Sequence, residues 1–117
     1  MYRDEILDLY RNPRNEGSLD TDFVAEAENP SCGDDTTVYV KVEDGEIREV
    51  SHETDGCAIS TAAASIVSEK ICGMSVEKVL ELDREWMLEK LGIDVSPMRM
   101  KCAMLGLKTA QEALAQE

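Results

Sequence analysis

The most constraining feature of this chain is a change of hydrophobic period at its middle. Thr37-Val38-Tyr39-Val40-Lys41-Val42 puts three valines on one face at a spacing of two, the signature of a half-buried strand. Asp44-Gly45 then supplies a two-residue hairpin turn. The return strand, Ile47 to Thr54, alternates imperfectly. Val50, His52 and Thr54 fall on one side and Ile47 on the other, as a β-bulge would produce. After Gly56-Cys57 the period becomes helical, with Ile59, Ala62, Ala63, Ile66 and Val67 on one face. A strand-rich first half and a helical second half predict an α+β fold.

The remaining elements follow from local signals. Tyr2, Ile6, Leu7 and Tyr10 are spaced for an N-terminal helix that stops before Pro13. A turn-rich loop, Asn12 to Ser18, comes next, and Phe23 to Ala27 reads as a short strand. Gly73 ends the alanine-rich helix; Ser75 and Asp83 cap two short helices, and Gly92 terminates the second. The last helix carries the stripe Met100, Ala103, Leu107, Ala110, Leu114, with Ser96-Pro97 at its start or one turn before it.

A chain of 117 residues is the size of one domain, so residues 1–117 are expected to share one core without disulfides. A formal charge of −13 argues against nucleic acid or an anionic membrane as the main partner. It favours a basic protein or a cationic metal. No apolar run reaches the length of a membrane span, and Met1-Tyr2-Arg3-Asp4-Glu5 lacks the character of a signal peptide, so a cytoplasmic location is expected. In that reducing setting the four cysteines read as thiols or metal ligands.

No two of them form a Cys-x-x-Cys pair, which excludes a zinc ribbon or a thioredoxin-type site. Cys32 precedes the first hairpin strand and Cys57 follows the second, so the two meet at one end of the hairpin although they are 25 positions apart. Cys102 lies near the start of the last helix, one step off its apolar stripe, where it can face a site. Free N–H groups at a helix start favour a thiolate, and Lys101 adds a cation beside Cys102. Asp34, two residues after Cys32, can join it on one metal. Three thiolates and one carboxylate result: Cys32, Asp34, Cys57 and Cys102. Inert packing suits Cys72 instead, which ends a helix with no polar ligand type nearby. His52, the single histidine, reads as a surface or half-buried residue and not as a ligand. The acidic clusters read as solvated faces.

These motifs together resemble the IscU/NifU/SufU type of iron–sulfur cluster assembly scaffold over nearly the whole chain. Asn12-Pro13-Arg14-Asn15-Glu16-Gly17 is similar to the family's N-terminal signature. Pro30-Ser31-Cys32-Gly33-Asp34, Gly56-Cys57 and Lys101-Cys102 are similar to its three cysteine motifs. The resemblance implies a three-stranded antiparallel sheet with helices packed on one face. It implies a labile [2Fe–2S] cluster on Cys32, Cys57 and Cys102 with Asp34 close by, or a [4Fe–4S] cluster on a dimer. It also implies iron as the metal received, a cysteine desulfurase as sulfur donor, an electron donor, and apo-protein acceptors. Cys102 is the expected persulfide acceptor, with Cys32 as its rival. Apolar residues such as Met98 and Met104 near the site would also let two copies meet as a homodimer.

Two departures bear on this reading. The IscU branch has histidine before the third cysteine, whereas this chain has Lys101. The zinc-binding SufU branch has lysine there together with an extra segment between the second and third cysteines. Here those cysteines are only 45 positions apart, too close for that segment. The alternatives are therefore a zinc-dependent sulfur acceptor, with Zn²⁺ on the same four residues, or a structural zinc domain. Where IscU has the Leu-Pro-Pro-Val-Lys stretch, this chain has Val95-Ser96-Pro97-Met98-Arg99, which does not support recognition by an Hsp70-type chaperone.

Overall fold

A computed structural model describes residues 4–30 and 33–115. Helix α1 spans Asp4–Arg11 and precedes three strands: β1 Phe23–Asn29, β2 Asp34–Glu43 and β3 Glu46–Asp55. Helices α2 Ala58–Lys70, α3 Val76–Glu81, α4 Arg84–Leu91 and α5 Met100–Ala115 follow, with a 3₁₀ turn at Pro97–Arg99 leading into α5. The sheet is antiparallel in the order β1-β2-β3. Helices α2 and α5 cover one face of it, and α1 packs on α2. This is the α+β arrangement that the change of period predicts. Tyr2 of the predicted first helix lies outside the described residues.

The hairpin forms for the expected reason. Asp44 and Gly45 both have positive φ, 54° and 77°, the turn geometry whose twist matches that of paired strands. The irregularity in β3 is a real bulge. Lys41 pairs with Glu49 and Val42 with Ile47, which leaves Arg48 unopposed. The extra residue returns Ile47 to the same covered side as Val50, and both are buried.

Strand β2 starts earlier than the valine pattern shows. Asp34, Thr36, Val38 and Val40 form one buried row at a spacing of two. Asp34 is therefore the polar end of a core-facing row and not a loop residue. Helix α2 is buried on nearly every side, because its alanines and serines admit neighbours closely. Against α5 the approach is closest at Gly106, where a Cβ would stand 3.0 Å from Ala64 Cα. That contact fixes the height of α5, and with it Cys102, relative to the first turn of α2.

The serines of α2 serve a second purpose. Ser65 and Ser68 are fully buried and receive the N-terminal loop. The Arg14 N–H donates to Ser65 Oγ (3.1 Å), and Asn15 Nδ2 donates to Ser68 Oγ (3.0 Å). The loop also pairs with β3, through His52 N–H to Asn15 O (3.0 Å) and Gly17 N–H to His52 O (2.9 Å). The loop thus acts as a short extra strand lying over His52.

His52 departs from its expected place. Its side chain is buried, 1% exposed, beneath that loop. Arg14 O, which can only accept, lies 2.9 Å from Nε2, so Nε2 carries the proton. Nδ1 then accepts from the Thr54 hydroxyl at 2.8 Å, and Thr54 is bonded in turn to Thr36 at 2.7 Å. The ring is neutral and every polar atom is used. Three further expectations hold. Ser75 caps α3 by accepting from Lys78 N–H, Asp83 caps α4 by accepting from Trp86 N–H, and Gly92 ends α4 at φ 69°. Among the described residues no helix is long and apolar enough to cross a membrane.

Burial lowers the pKa of His52 below its ordinary value, against the opposing pull of Arg14 O and Glu16. The folded state thus binds this proton less readily than the unfolded chain. Its contribution to stability is complete above the unfolded pKa, about 6.5, and is lost as pH falls from there through the lower folded value. His52→Gln keeps a donor for Arg14 O but does not titrate. The stability difference between wild type and this variant, measured by urea unfolding, should move in favour of the variant as pH is taken from neutral to mildly acidic. His52→Ala, which leaves Arg14 O unpaired beside a cavity, should cost roughly 2–4 kcal/mol at neutral pH.

Candidate metal centre

Three elements end at one point beneath the helices. The buried row of β2 ends at Asp34, α2 begins at Cys57, and the first turn of α5 carries Cys102. One oxygen of Asp34, Cys57 Sγ and Cys102 Sγ all lie within 4.8 Å of one another. Tetrahedral Zn–S bonds of 2.3 Å place neighbouring ligands about 3.8 Å apart, so a small contraction brings the three onto one ion.

Asp34 is held by one oxygen and open at the other. The Cys57 N–H donates to Asp34 Oδ1 at 2.9 Å, so the carboxylate supplies the cap that the first turn of α2 requires. Asp34 Oδ2 is buried with no hydrogen-bond partner among the described residues. A buried carboxylate oxygen without a donor is costly, and a cation beside the two sulfurs would satisfy it. Gly56 makes the arrangement possible. A Cβ there would come within 2.9 Å of Asp34 Cγ and 2.7 Å of Ser60 Oγ, so any side chain would displace the carboxylate.

Cys57 is half-buried and is the N-cap of α2. Its burial opposes ionisation, and so does the Asp34 carboxylate. Hydrogen bonds from the Ser60 backbone and hydroxyl, and from Cys102, outweigh both and lower the thiol below its ordinary pKa. The expected helix-start thiolate is therefore supported chiefly by Ser60, three residues on. Cys102 is fully buried on α5, so it belongs to the core as well as to the site that its position off the stripe suggested. Helix α5 packs against β1 and β2 on one side and against α2 on another, so its covered arc is wider than the stripe. Cys102 still faces the centre, and Asn29 Nδ2 donates to its Sγ at 3.8 Å.

Two of the residues that shape the centre escaped sequence reasoning. Asn29 pairs with Asp34 across β1 and β2, which only the strand register reveals. Ser60 had a legible signal, since it stands at the third helical position after an N-cap, where capping partners sit. Cys32 lies outside the described residues. Lys101 is exposed and lines an open groove together with Met104 and Lys108. Cys72 is not packed into the core as expected. It is exposed at the end of α2, its Sγ donates to Ser68 O at 3.3 Å, and it stands outside the donor set. Partial burial, with the nearby carboxylates of Glu49 and Glu69, raises its pKa.

Comparison with known proteins places the chain in a family. The NifU-like N-terminal domain family matches residues 1–116. The iron–sulfur cluster assembly scaffold protein IscU 1 of Archaeoglobus fulgidus is 36% identical over 115 residues, covering 97% of this chain and 74% of that protein. The zinc-dependent sulfurtransferase SufU of Bacillus subtilis is 31% identical, covering all of this chain and 91% of its own. Among solved structures, a scaffold protein described for the SUF system of Fervidobacterium islandicum superposes with a TM-score of 0.78. It is 29% identical and is matched over 97% of this chain and 96% of its own. The chain therefore belongs to the NifU-like N-terminal domain family.

Proposed function

We propose that this protein is a scaffold on which an iron–sulfur cluster is assembled and from which it is passed to apo-proteins. The observation that carries the reading is the meeting of Asp34, Cys57 and Cys102, with one carboxylate oxygen buried and unpartnered. Cys32 is the fourth donor in this reading. The cluster is cargo, so the site must bind it and also release it.

The donor set suits that double task. Thiolates hold iron strongly, whereas a carboxylate is a harder ligand and grips sulfur-bridged iron less well. Asp34 has somewhere to go when it lets go, because Oδ1 already accepts from the Cys57 N–H. Exchange therefore begins at Asp34. Ferrous iron arrives first, on the thiolates. A cysteine desulfurase then supplies sulfur: a scaffold thiolate attacks the terminal sulfur of the enzyme's persulfide, and the enzyme's thiolate leaves. Two electrons from an external donor reduce the new persulfide to sulfide, which bridges the irons. Cys102 is the acceptor in this account, with Cys32 as its rival. Since Cys102 is buried, its turn must open, and the 3₁₀ turn at Pro97–Arg99 just before α5 is where that opening would occur. The chain turns nothing over and acts as a carrier, not an enzyme.

A second reading, a zinc-dependent sulfur acceptor, is favoured by one observation. The three donor atoms are spaced for a single tetrahedral ion. Purification without oxygen separates the two. A brown protein with iron and acid-labile sulfide is expected; a colourless protein with one zinc would establish the alternative. Stimulation of a desulfurase then distinguishes a zinc-bound acceptor from a purely structural zinc domain.

Asp34→Ala should lengthen the lifetime of a reconstituted cluster against a chelator or an apo-acceptor several-fold. Faster loss would show that Asp34 holds the cluster instead of releasing it. The same change removes the cap of α2 and should cost about 1 kcal/mol of folding stability. Cys72→Ser should leave metal stoichiometry unchanged, read by elemental analysis.

A further inference from the structure

The groove beside α5 differs in charge from the rest of the surface. It holds about 350 Å³ and runs between the α3–α4 junction and the outer face of α5. Leu82, Met100 and Met104 form its apolar floor, and Arg84, Lys101 and Lys108 stand exposed on its rim. Three of the chain's twelve lysines and arginines thus meet here, in a protein with a formal charge of −13. Among the described residues none of the three takes part in an ion pair.

One carboxylate reaches the groove, that of Asp83, and its Oδ1 is engaged by the Trp86 N–H at 3.0 Å. Two other surface hollows carry the opposite sign. One is lined by Glu16, Asp35, Glu53 and Asp55 with no cation, and another by Glu26, Glu28 and Asp35. A third is mixed, with Lys41 and Arg48 among Asp20, Asp22 and Glu43. The groove is also held in shape. Gln111 on α5 donates through Nε2 to Val79 O and Leu82 O, both at 2.9 Å, which ties the helix to the opposite wall. Three cations in a net-negative field are poorly used by folding when no described residue forms an ion pair with them. An apolar floor under a cationic rim fits a segment that presents carboxylates on one side and an aliphatic side chain on the other.

We propose that this groove is the docking site for an acidic segment of a partner protein, anchored by an aliphatic residue on Leu82, Met100 and Met104. The site adjoins the α5 turn that carries Cys102, so the bound segment would lie next to the metal centre. The inference does not depend on which metal that centre holds. The background charge sharpens the match, because a net-negative surface repels an anionic segment and this cationic rim attracts it.

The test uses the full chain, ¹⁵N-labelled, and a blocked octapeptide of alternating glutamate and leucine; its counterpart has lysine for glutamate. The acidic peptide should bind at low salt and weaken at high salt, with amide shifts confined to 82–84 and 100–111. The lysine peptide should not bind there. Arg84→Glu combined with Lys108→Glu should weaken the acidic peptide at least about tenfold. Lys108→Gln alone, a milder change that keeps the test open if the double variant fails to fold, should weaken it about threefold. Zinc titration of the same samples should be unaltered, which separates this site from the centre. The proposal is overturned by equal binding of the lysine peptide, by shifts elsewhere, by no binding, or by unchanged affinity in the variants. Inorganic phosphate that competes as well as the peptide would show a simple anion site, and preference for anionic lipid vesicles would show a membrane contact. Either result overturns the proposal.

Discussion

The hydrogen bond from the Cys57 N–H to Asp34 Oδ1 joins the sheet to the helical layer at the point where chemistry is expected. It settles three things at once. It satisfies the N–H of the residue that starts α2, it fixes one oxygen of a buried carboxylate, and it holds that carboxylate within reach of two sulfurs. Asp34 sits there because β2 continues its core-facing row through Thr36 to its first residue. Cys57 sits there because β3 ends at Asp55 and a single glycine separates it from the helix start. The centre is therefore a consequence of strand pairing, since shifting β2 by one residue would send Asp34 to the opposite face.

Small residues hold the remaining side of the centre in place. Gly56 leaves room for the carboxylate, and Gly106 lets α5 lie against Ala64. The close approach buries Cys102 and brings it within reach of the other donors. The buried serines of α2 are satisfied by the N-terminal loop, and that loop also covers His52. An uncapped buried hydroxyl is expensive, so loop and helix specify each other. The Asn-Pro-Arg-Asn-x-Gly stretch thus has a structural role here: it forms the lid over a neutral histidine some distance along β3 from the metal centre.

Much of this was legible before the structure. The hairpin, its bulge, the change of period and both short-helix caps all follow from local pattern. What was not legible depended on partners distant in sequence. His52 lies between Ser51 and Glu53 in a strand whose flank looks exposed, and only the loop at 14–17 buries it. Cys72 reads as core because cysteine is usually buried, yet α2 ends before it and leaves it outside. Cys102 reads as standing apart from the core because the apolar stripe of α5 is narrow, whereas the helix is covered on two sides. Asn29 required the register of β1 against β2. In each case period and propensity describe one element, and burial is set by what lies across from it.

The centre's charges work against each other by design of the fold. Two thiols and a carboxylate within 4.8 Å repel once ionised, and the surrounding chain is acidic. Burial sharpens that repulsion, because water no longer screens it. Hydrogen bonding lowers the pKa of Cys57 against its burial and the repulsion of Asp34. A divalent ion removes that conflict and completes the hydrogen-bond accounting of Asp34 Oδ2. Metal binding should therefore release protons and stabilise the junction of β2, α2 and α5 together. Release of the metal restores the conflict, so the protein is poised to take up its cargo again.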